Sequence, residues 1–434
     1  MKDALQSILK KNGIEEWLIR IKKINGTQGY YILDKKEMLR FQNAVQIEVT
    51  VYRTFAEGDD KYRGSMTIAI SPSMNEKEIG EKLKFAYDSA LSVKNKWYPL
   101  SNSASRKRTP LQQSSIFKDG FRNGNGAQWV ERIAGDIFNI EHQGVVFNAL
   151  EVSVSENDHS IVNSDGIDYS WTDYSCFTEL VTTTASGEKD EAELFDLFRF
   201  SDYSSEQMGR RVKQQVLDTL DRTKAERLSS TGDLPVVLKG KALFEFFSYF
   251  INQANARMIF EGMSVFDKGK QLQSGGDLLT IDAVPALGGS DKNNFVDRDG
   301  IIPVPVRVLE RGKMNSIIAD LQFGTYLGEE ITGNSRNIHV GPGSFDGDTL
   351  KNTPSLETLE FSDFSMNPVT GDFGGEIRLA YFFDGKNTTP VTGGSITGNI
   401  NKVIDSIRLS STIITEGAYE GPVFISMDGV TITG

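Results

Sequence analysis

Cysteine occurs once in this chain, at Cys176, and histidine three times, at His142, His159 and His339. A lone thiol cannot close an internal disulfide, removes every metal site built from several cysteines, and is what a reducing compartment permits. The histidines share neither helical nor hairpin spacing, so they form no metal pair by sequence, and each reads as a surface or structural residue. No apolar run approaches the roughly eighteen residues that a bilayer span requires. The opening "MKDALQSILKKNG" reads as an amphipathic helix carrying lysines and no cleavage site. The expectation is a cytoplasmic protein that does not enter a membrane.

Positive charge is also in short supply, with 47 Lys and Arg against 59 Asp and Glu for a net charge of −12. That balance opposes a phosphate backbone, so direct nucleic-acid binding is not expected. The one basic knot, Arg106-Lys107-Arg108, lies among Ser, Asn and Pro and reads as an exposed loop. There is no nucleophile elbow and no Walker loop, and "NGNGAQW" stops matching a dinucleotide fingerprint after two glycines. "DRDG" at 297–300 and "DGD" at 346–348 lack the rest of a calcium loop and read as turns. Cys176 falls inside an alternating strand with no local histidine and reads as a packed thiol. Among many carboxylates, Asp297 and Asp299 are the pair to test for acid–base work.

At 434 residues the chain exceeds the size at which one core usually keeps growing. The small, polar "LSSTGDLP" at 228–235 marks the boundary, giving an α+β domain at 1–230 and a β-rich domain at 231–434. In the first, helices are expected at 3–12, from Asn75, over "AQWVERIAGDIFNIE" and from Ser204, whose spacing to Gln207 is that of a capping box. Between them lie strands such as "EEWLIRIKKI", "YYILDKK", "AVQIEVTVYRTF", "RGSMTIAIS", "VVFNALEVSVS", "SIVNSDG" and "DYSWTDYSCFTELVTTTA". A sandwich-like domain with a mixed sheet is expected. The second half, glycine-punctuated with short β-branched runs, reads as a barrel-like or sandwich domain. Its helices are "KALFEFFSYFINQANARMIFEG" at 241–262, with Leu243, Phe246, Phe247, Phe250 and Ala254 on one stripe, and "MNSIIADLQFGTYLG".

Several segments of the second half resemble the TldD/PmbA family, once labelled modulators of DNA gyrase. They are "VVLKGKALFEFFSYFINQANARMIFEGMSVFDKGKQL", "NNFVDRDGIIPVPVRVLERGKMNSIIADLQFGTYLGEEITGN" and "NPVTGDFGGEIRLAYFFDGKNTTPVTGGSITGNI". The first half agrees more loosely, through "HSIVNSDG" and the helix ending in "DRTKAER". In that family, TldD-type chains carry His-Glu-x-x-x-His on the helix after the "VVL" strand and a late cysteine that completes a zinc site. PmbA-type chains, also called TldE, lack these ligands and pair with the metalloprotease subunit. The resemblance places Phe247, Ser248 and Asn252 roughly where His, Glu and His would fall, and the late cysteine is missing because Cys176 lies in the first half.

Three functions stay open on this reading. The first is a catalytically silent PmbA/TldE-like subunit, without cofactor of its own, that assembles with a zinc-bearing TldD-like partner and assists cleavage or maturation of peptides and unfolded proteins. Its peptide-binding or interface loops would include Gly333, Asn334, Gly398 and Asn399. The second is a self-sufficient homodimeric scaffold or peptide-binding protein of the same fold. The third is a divergent hydrolase using carboxylates such as Asp297 and Asp299.

Overall fold

The computed structural model describes residues 1–102, 115–122, 126–184, 193–229, 234–346 and 353–434. The basic triplet Arg106-Lys107-Arg108, most of "NGNG", most of the "DGD" turn and the centre of the 228–235 boundary lie outside the described residues.

An α+β architecture results. The first half is built on a seven-stranded sheet in the order β4-β3-β2-β1-β5-β6-β7. Its strands are β1 (Glu16–Ile32), β2 (Lys35–Glu57), β3 (Asp60–Ala69), β4 (Asn95–Lys96), β5 (Val145–Asn163), β6 (Asp168–Thr184) and β7 (Glu193–Phe200). The pairings are antiparallel throughout, which differs from the mixed sheet expected of this half. The cause is connectivity, since short turns link β1 to β2, β2 to β3 and β5 to β6, and so short a turn can only reverse a strand. Parallel pairs occur instead in the second half.

The strands are also longer than their local patterns suggest. "EEWLIRIKKI" and "YYILDKK" do not form separate strands, because β1 runs unbroken through Asn25, Gly26 and Gly29. "VVFNALEVSVS" and "SIVNSDG" are likewise one strand, β5.

Alternation along β2 turns Ile47, Val49 and Val51 inward. Helices α1 (Lys2–Lys11) and α2 (Glu76–Ser89) cover them together with Ile19 and Ile21. The helix α2 begins at a full capping box, in which the Asn75 side chain accepts from Glu78 N–H and Glu78 reaches back to Asn75 N–H. The helices α3 (Phe117–Arg122), α4 (Gly126–Phe138) and α5 (Ser205–Thr223) cover the same sheet face further along, over Tyr31, Val152, Val154, Cys176 and Leu180. Cys176 is buried, and burial pushes its thiol well above the usual range.

The second half has two sheets. One has six strands in the order β12-β11-β10-β13-β20-β19, drawn from β10 (Ile281–Val284), β11 (Val306–Glu310), β12 (Lys313–Met314), β13 (Asn337–Val340), β19 (Ile413–Glu416) and β20 (Tyr419–Pro422). The other runs β18-β21-β9-β14-β15-β16-β8, with β17 and β22 joined through β15. Its members are β8 (Glu226–Arg227), β9 (Val236–Lys239), β14 (Ser355–Met366), β15 (Asp372–Phe383), β16 (Thr388–Thr392), β17 (Ser395–Asn399), β18 (Arg408–Leu409), β21 (Phe424–Met427) and β22 (Thr431–Thr433).

The apolar helix expected over 241–262 is two helices, α6 (Lys241–Gln253) and α7 (Ala256–Phe260). Asn255 breaks it: its side chain caps α7 by accepting from Arg257 N–H at 2.9 Å. The backbone at the break pairs with Ile318, whose N–H donates to Ala254 O at 2.8 Å. In "MNSIIADLQFGTYLG" only Leu321–Leu327 is helical (α8), starting at the Asp320 cap.

Between the halves runs a charged seam. Lys241 pairs with Asp196 of β7, Arg211 of α5 pairs with Glu416 at 2.9 Å, and Tyr381 of β15 donates to Asp221 of α5 at 2.6 Å. A bulge in β14 places Glu360 beside Asp196 and Asp218. Burial raises the Glu360 carboxyl to about 7, with Asp196 adding to the shift, and raises Asp218 to about 6.

Candidate functional site

The helix α6 directly follows the buried strand β9, and Gly240 at φ 59° makes the turn between them. It packs between the two sheets, against β9, β14, β11 and β13. Phe246, Phe247 and Phe250 are fully buried. Phe247 meets Phe246 edge-on at 5.5 Å and stacks on Tyr419 at 5.9 Å, and Phe246 meets Phe373 at 5.5 Å.

Zinc takes imidazole nitrogen, thiolate sulfur or carboxylate oxygen. The Phe247 ring offers none of these. The Ser248 hydroxyl donates back to Glu245 O at 2.6 Å, within its own helix, and Asn252 carries a neutral amide. The residues on this face therefore do not fit the zinc ion that the resemblance implies for TldD-type chains.

Elsewhere, His142 stacks on Phe147, His159 pairs with Asp173 at 2.8 Å and His339 with Glu420 at 2.7 Å. Among the described residues no group of three or more His, Cys, Asp or Glu side chains is disposed to hold a metal ion.

Asp297, Asp299, Gly333 and Asn334 come together. Asp297 is buried, and its Oδ1 accepts from Asp299 N–H at 3.0 Å and Ile301 N–H at 2.9 Å, so the carboxylate locks the 297–301 turn. Burial drives this carboxyl up to about 7, helped by the neighbouring Asp299 charge, while the amides of Ile301, Asp299 and Asn334 oppose the shift. Burial raises Asp299 as well, against the pull of Arg298, which lies 3.7 Å from Asp299 and 3.8 Å from Asp320.

Gly333, at φ 70°, faces Pro303 closely enough that a Cβ would stand 3.0 Å from the Pro303 Cα. Val296 and Ile302, flanking the turn, pack on Leu18, Tyr52 and Ile161 of the first half. Sequence reasoning missed Arg298, Asp320 and Ser101, whose hydroxyl donates to Asp299 O.

Gly398 and Asn399 lie elsewhere, on the outer face of the large sheet. A row of paired residues, Ser365, Gly374, Thr397 and Thr431, crosses β14, β15, β17 and β22 and floors an open cleft of about 980 Å³. At its rim Asn399 Nδ2 donates to Asp372 Oδ1 at 2.7 Å and Thr370 Oγ1 to Asp372 Oδ2 at 2.6 Å, which holds the Asp372 carboxyl below its ordinary value. A Cβ on Gly398 would come 2.4 Å from the Phe373 ring, so close ring approach accounts for this glycine.

Residues 231–434 match the PmbA/TldA metallopeptidase C-terminal domain. Over its whole length the chain has the fold of a TldE protein from Thermococcus kodakarensis, with a TM-score of 0.78 at 14% identity, covering 99% of this chain and 100% of that one. A candidate modulator of DNA gyrase from Bacteroides thetaiotaomicron is similar at a TM-score of 0.77 and 17% identity, covering 100% of this chain and 98% of that one. An uncharacterized protein of Methanocaldococcus jannaschii is 27% identical over 180 residues, spanning 38% of this chain and 42% of that relative's length. Residues 231–434 therefore carry a PmbA/TldA metallopeptidase C-terminal domain, and the chain as a whole shares the fold of these solved structures. Among the described residues, no helix is long and apolar enough to cross a membrane.

Proposed function

We propose that this chain is a non-catalytic, TldE-like subunit of a cytoplasmic TldD-type metallopeptidase assembly. Zinc and the peptide-cleaving chemistry reside in the partner, and this chain helps enclose the peptide or unfolded substrate. The observation that carries this reading is Phe247, a fully buried phenyl ring at the position to which the resemblance assigns a metal ligand in TldD-type chains. Ser248 and Asn252 offer neither an imidazole nor a carboxylate base to take a proton from water.

The whole-chain likeness to TldE supports the same subunit type. A hydrolase centred on Asp297 and Asp299 is less well supported, because Asp297 already spends an oxygen on two backbone amides.

Co-expression with a TldD-type protein that carries His-Glu-x-x-x-His tests the proposal. A stable complex that cleaves an unfolded peptide, with cleavage unchanged by Ser248→Ala and Asn252→Ala together, is expected. Failure of the two chains to associate at micromolar concentration would overturn it.

A further inference from the structure

A loop of the second half is pinned against β7 and α6, and it carries an unpaired lysine. Asn293 closes the loop on itself, its Oδ1 accepting from Leu287 N–H at 2.9 Å and its Nδ2 donating to Leu287 O at 3.0 Å. Asn337, at the start of β13, ties the loop down. Its Oδ1 accepts from the buried Ser290 hydroxyl, and its Nδ2 donates to Asn293 Oδ1 at 3.2 Å. From the other side Ser201, just beyond β7, donates its N–H to Gly289 O at 2.8 Å.

These bonds fix Lys292, which lies between Ser290 and Asn293. They also bring two guanidiniums to it, because Arg336 adjoins Asn337 and Arg199 lies two residues before Ser201. The Lys292 ammonium stands 3.8 Å from the centre of the Phe244 ring, and Arg199 stands 4.9 Å from the centre of the Phe177 ring. Such contacts orient a cation without neutralising it.

Asp291 and Glu245 are the acids that face Lys292, and among the described residues none of the three cations has a carboxylate at ion-pair distance. Burial, and then the charges of Arg336 and Arg199, hold the Lys292 ammonium below its ordinary value, against the pull of Asp291 and Glu245. In a chain where acids outnumber bases 59 to 47, three unpaired cations gathered in one place call for an outside anion.

The surroundings suit a peptide. Phe244 begins an i, i+4 row along α6, with Ser248 and Asn252, and all three side chains are partly buried and uncharged. On β7, Phe198 points into the helix-covered core, so alternation puts Arg199 and Phe195, 50% exposed, on the opposite face.

We propose that Lys292, Arg336 and Arg199 form a binding site for a peptide carboxylate at the Phe244 end of that row. A carboxylate accepts two parallel bonds from a guanidinium and a further one from the ammonium, and its charge relieves the repulsion among the three. The pinned loop loses little freedom on binding. The carboxylate belongs either to the chain terminus or to an Asp or Glu side chain. That a peptide bears it rests on the proposed subunit role.

Fluorescence anisotropy on the full chain tests the site with three forms of one labelled peptide that otherwise lacks acids: free C-terminus, C-terminal amide, and amide with one internal Asp. The free acid or the Asp form should bind at least about tenfold more tightly than the plain amide, and whichever does so identifies the source. Lys292→Met and Arg336→Gln should each erase the preference, and Lys292→Arg should keep most of it. Lys84→Met, on α2 over the helix-covered face, should leave it unchanged. Equal binding of all three peptides, binding of none, or a preference that survives both Lys292→Met and Arg336→Gln overturns the site. Those results leave the subunit role standing where the chain still assembles with a TldD-type protein, and failure to assemble counts against that role while the preference measured on the chain alone still supports the site.

Discussion

Asn163 and Asp297 hold the same turn twice. Asn163 Oδ1 accepts from Asp165 N–H at 3.0 Å and Ile167 N–H at 2.9 Å, and Asp297 Oδ1 accepts from Asp299 N–H at 3.0 Å and Ile301 N–H at 2.9 Å. Each turn carries a positive-φ glycine, Gly166 at 94° and Gly300 at 81°. The two turns touch: a Cβ on Gly300 would lie 3.2 Å from Ile167 and 3.2 Å from the Ser101 hydroxyl. Ser101 bridges them, receiving Asn163 Nδ2 on its carbonyl at 2.7 Å and donating to Asp299 O. One turn belongs to the first half and the other to the second, so the pair is a clasp between them.

A neutral amide therefore does at 163 what a carboxylate does at 297, and this sets a first prediction. Asp297→Asn keeps the oxygen that locks the turn and removes the penalty of a buried charge. Thermal unfolding at pH 8 should give a Tm equal to or above that of the unaltered chain. Asn163→Ala removes the acceptor for two buried amides and should destabilise by about 1–3 kcal/mol.

The seam carboxyls Glu360 and Asp218 give a pH dependence. Both bind their proton more tightly folded than unfolded, with folded values near 7 and 6 against about 4 for a free carboxyl. Their contribution to stability is complete below pH 4 and is lost as pH rises through about 6 for Asp218 and 7 for Glu360. Glu360→Gln should accordingly raise Tm at pH 8, where the parent carries the buried charge, with a much smaller change at pH 5. A Tm difference that is the same at both pH values would contradict this.

Phe247 fills the space between the two sheets. Phe247→Ala should destabilise by about 3–5 kcal/mol, as large-to-small core changes at fully buried aromatics do. Ser248→Ala, one residue on, loses only a hydroxyl bonded within its own helix turn and should stay within about 0.5 kcal/mol of the parent. Chemical denaturation midpoints separate the two.

Asn255 separates α6 from α7 through its bond to Arg257 N–H at 2.9 Å. Asn255→Ala should cost about 1 kcal/mol through the lost cap. Equilibrium unfolding of the variant checks this, and no loss would mean that the pairing with Ile318 alone sets the break.

Local chemistry made part of this molecule legible in advance. The capping box at Asn75, the cap at Ser204 and the buried stripe of α6 each depend on residues within one or two turns of each other. Strand continuity was not legible. Asn25, Gly26 and Gly29 look like punctuation, but neighbours on both sides of β1 hold them in register. The break at Asn255 depends on Ile318, and the all-antiparallel order of the first sheet depends on which strands meet. At the candidate site the unsuitability of Phe247, Ser248 and Asn252 as zinc ligands could be read from residue type, whereas the Asp297 clasp could not. Its signal was present in the paired strings "NSDGI" and "DRDGI", but their contact is long-range.

Metal content measured alongside peptidase activity tests the central claim most directly, on the purified chain and on its complex with a TldD-type subunit. The account predicts no stoichiometric zinc and no peptide cleavage for the chain alone, with both appearing in the complex and assigned to the partner. Stoichiometric zinc bound by the chain alone, with cleavage that a chelator abolishes, would contradict it.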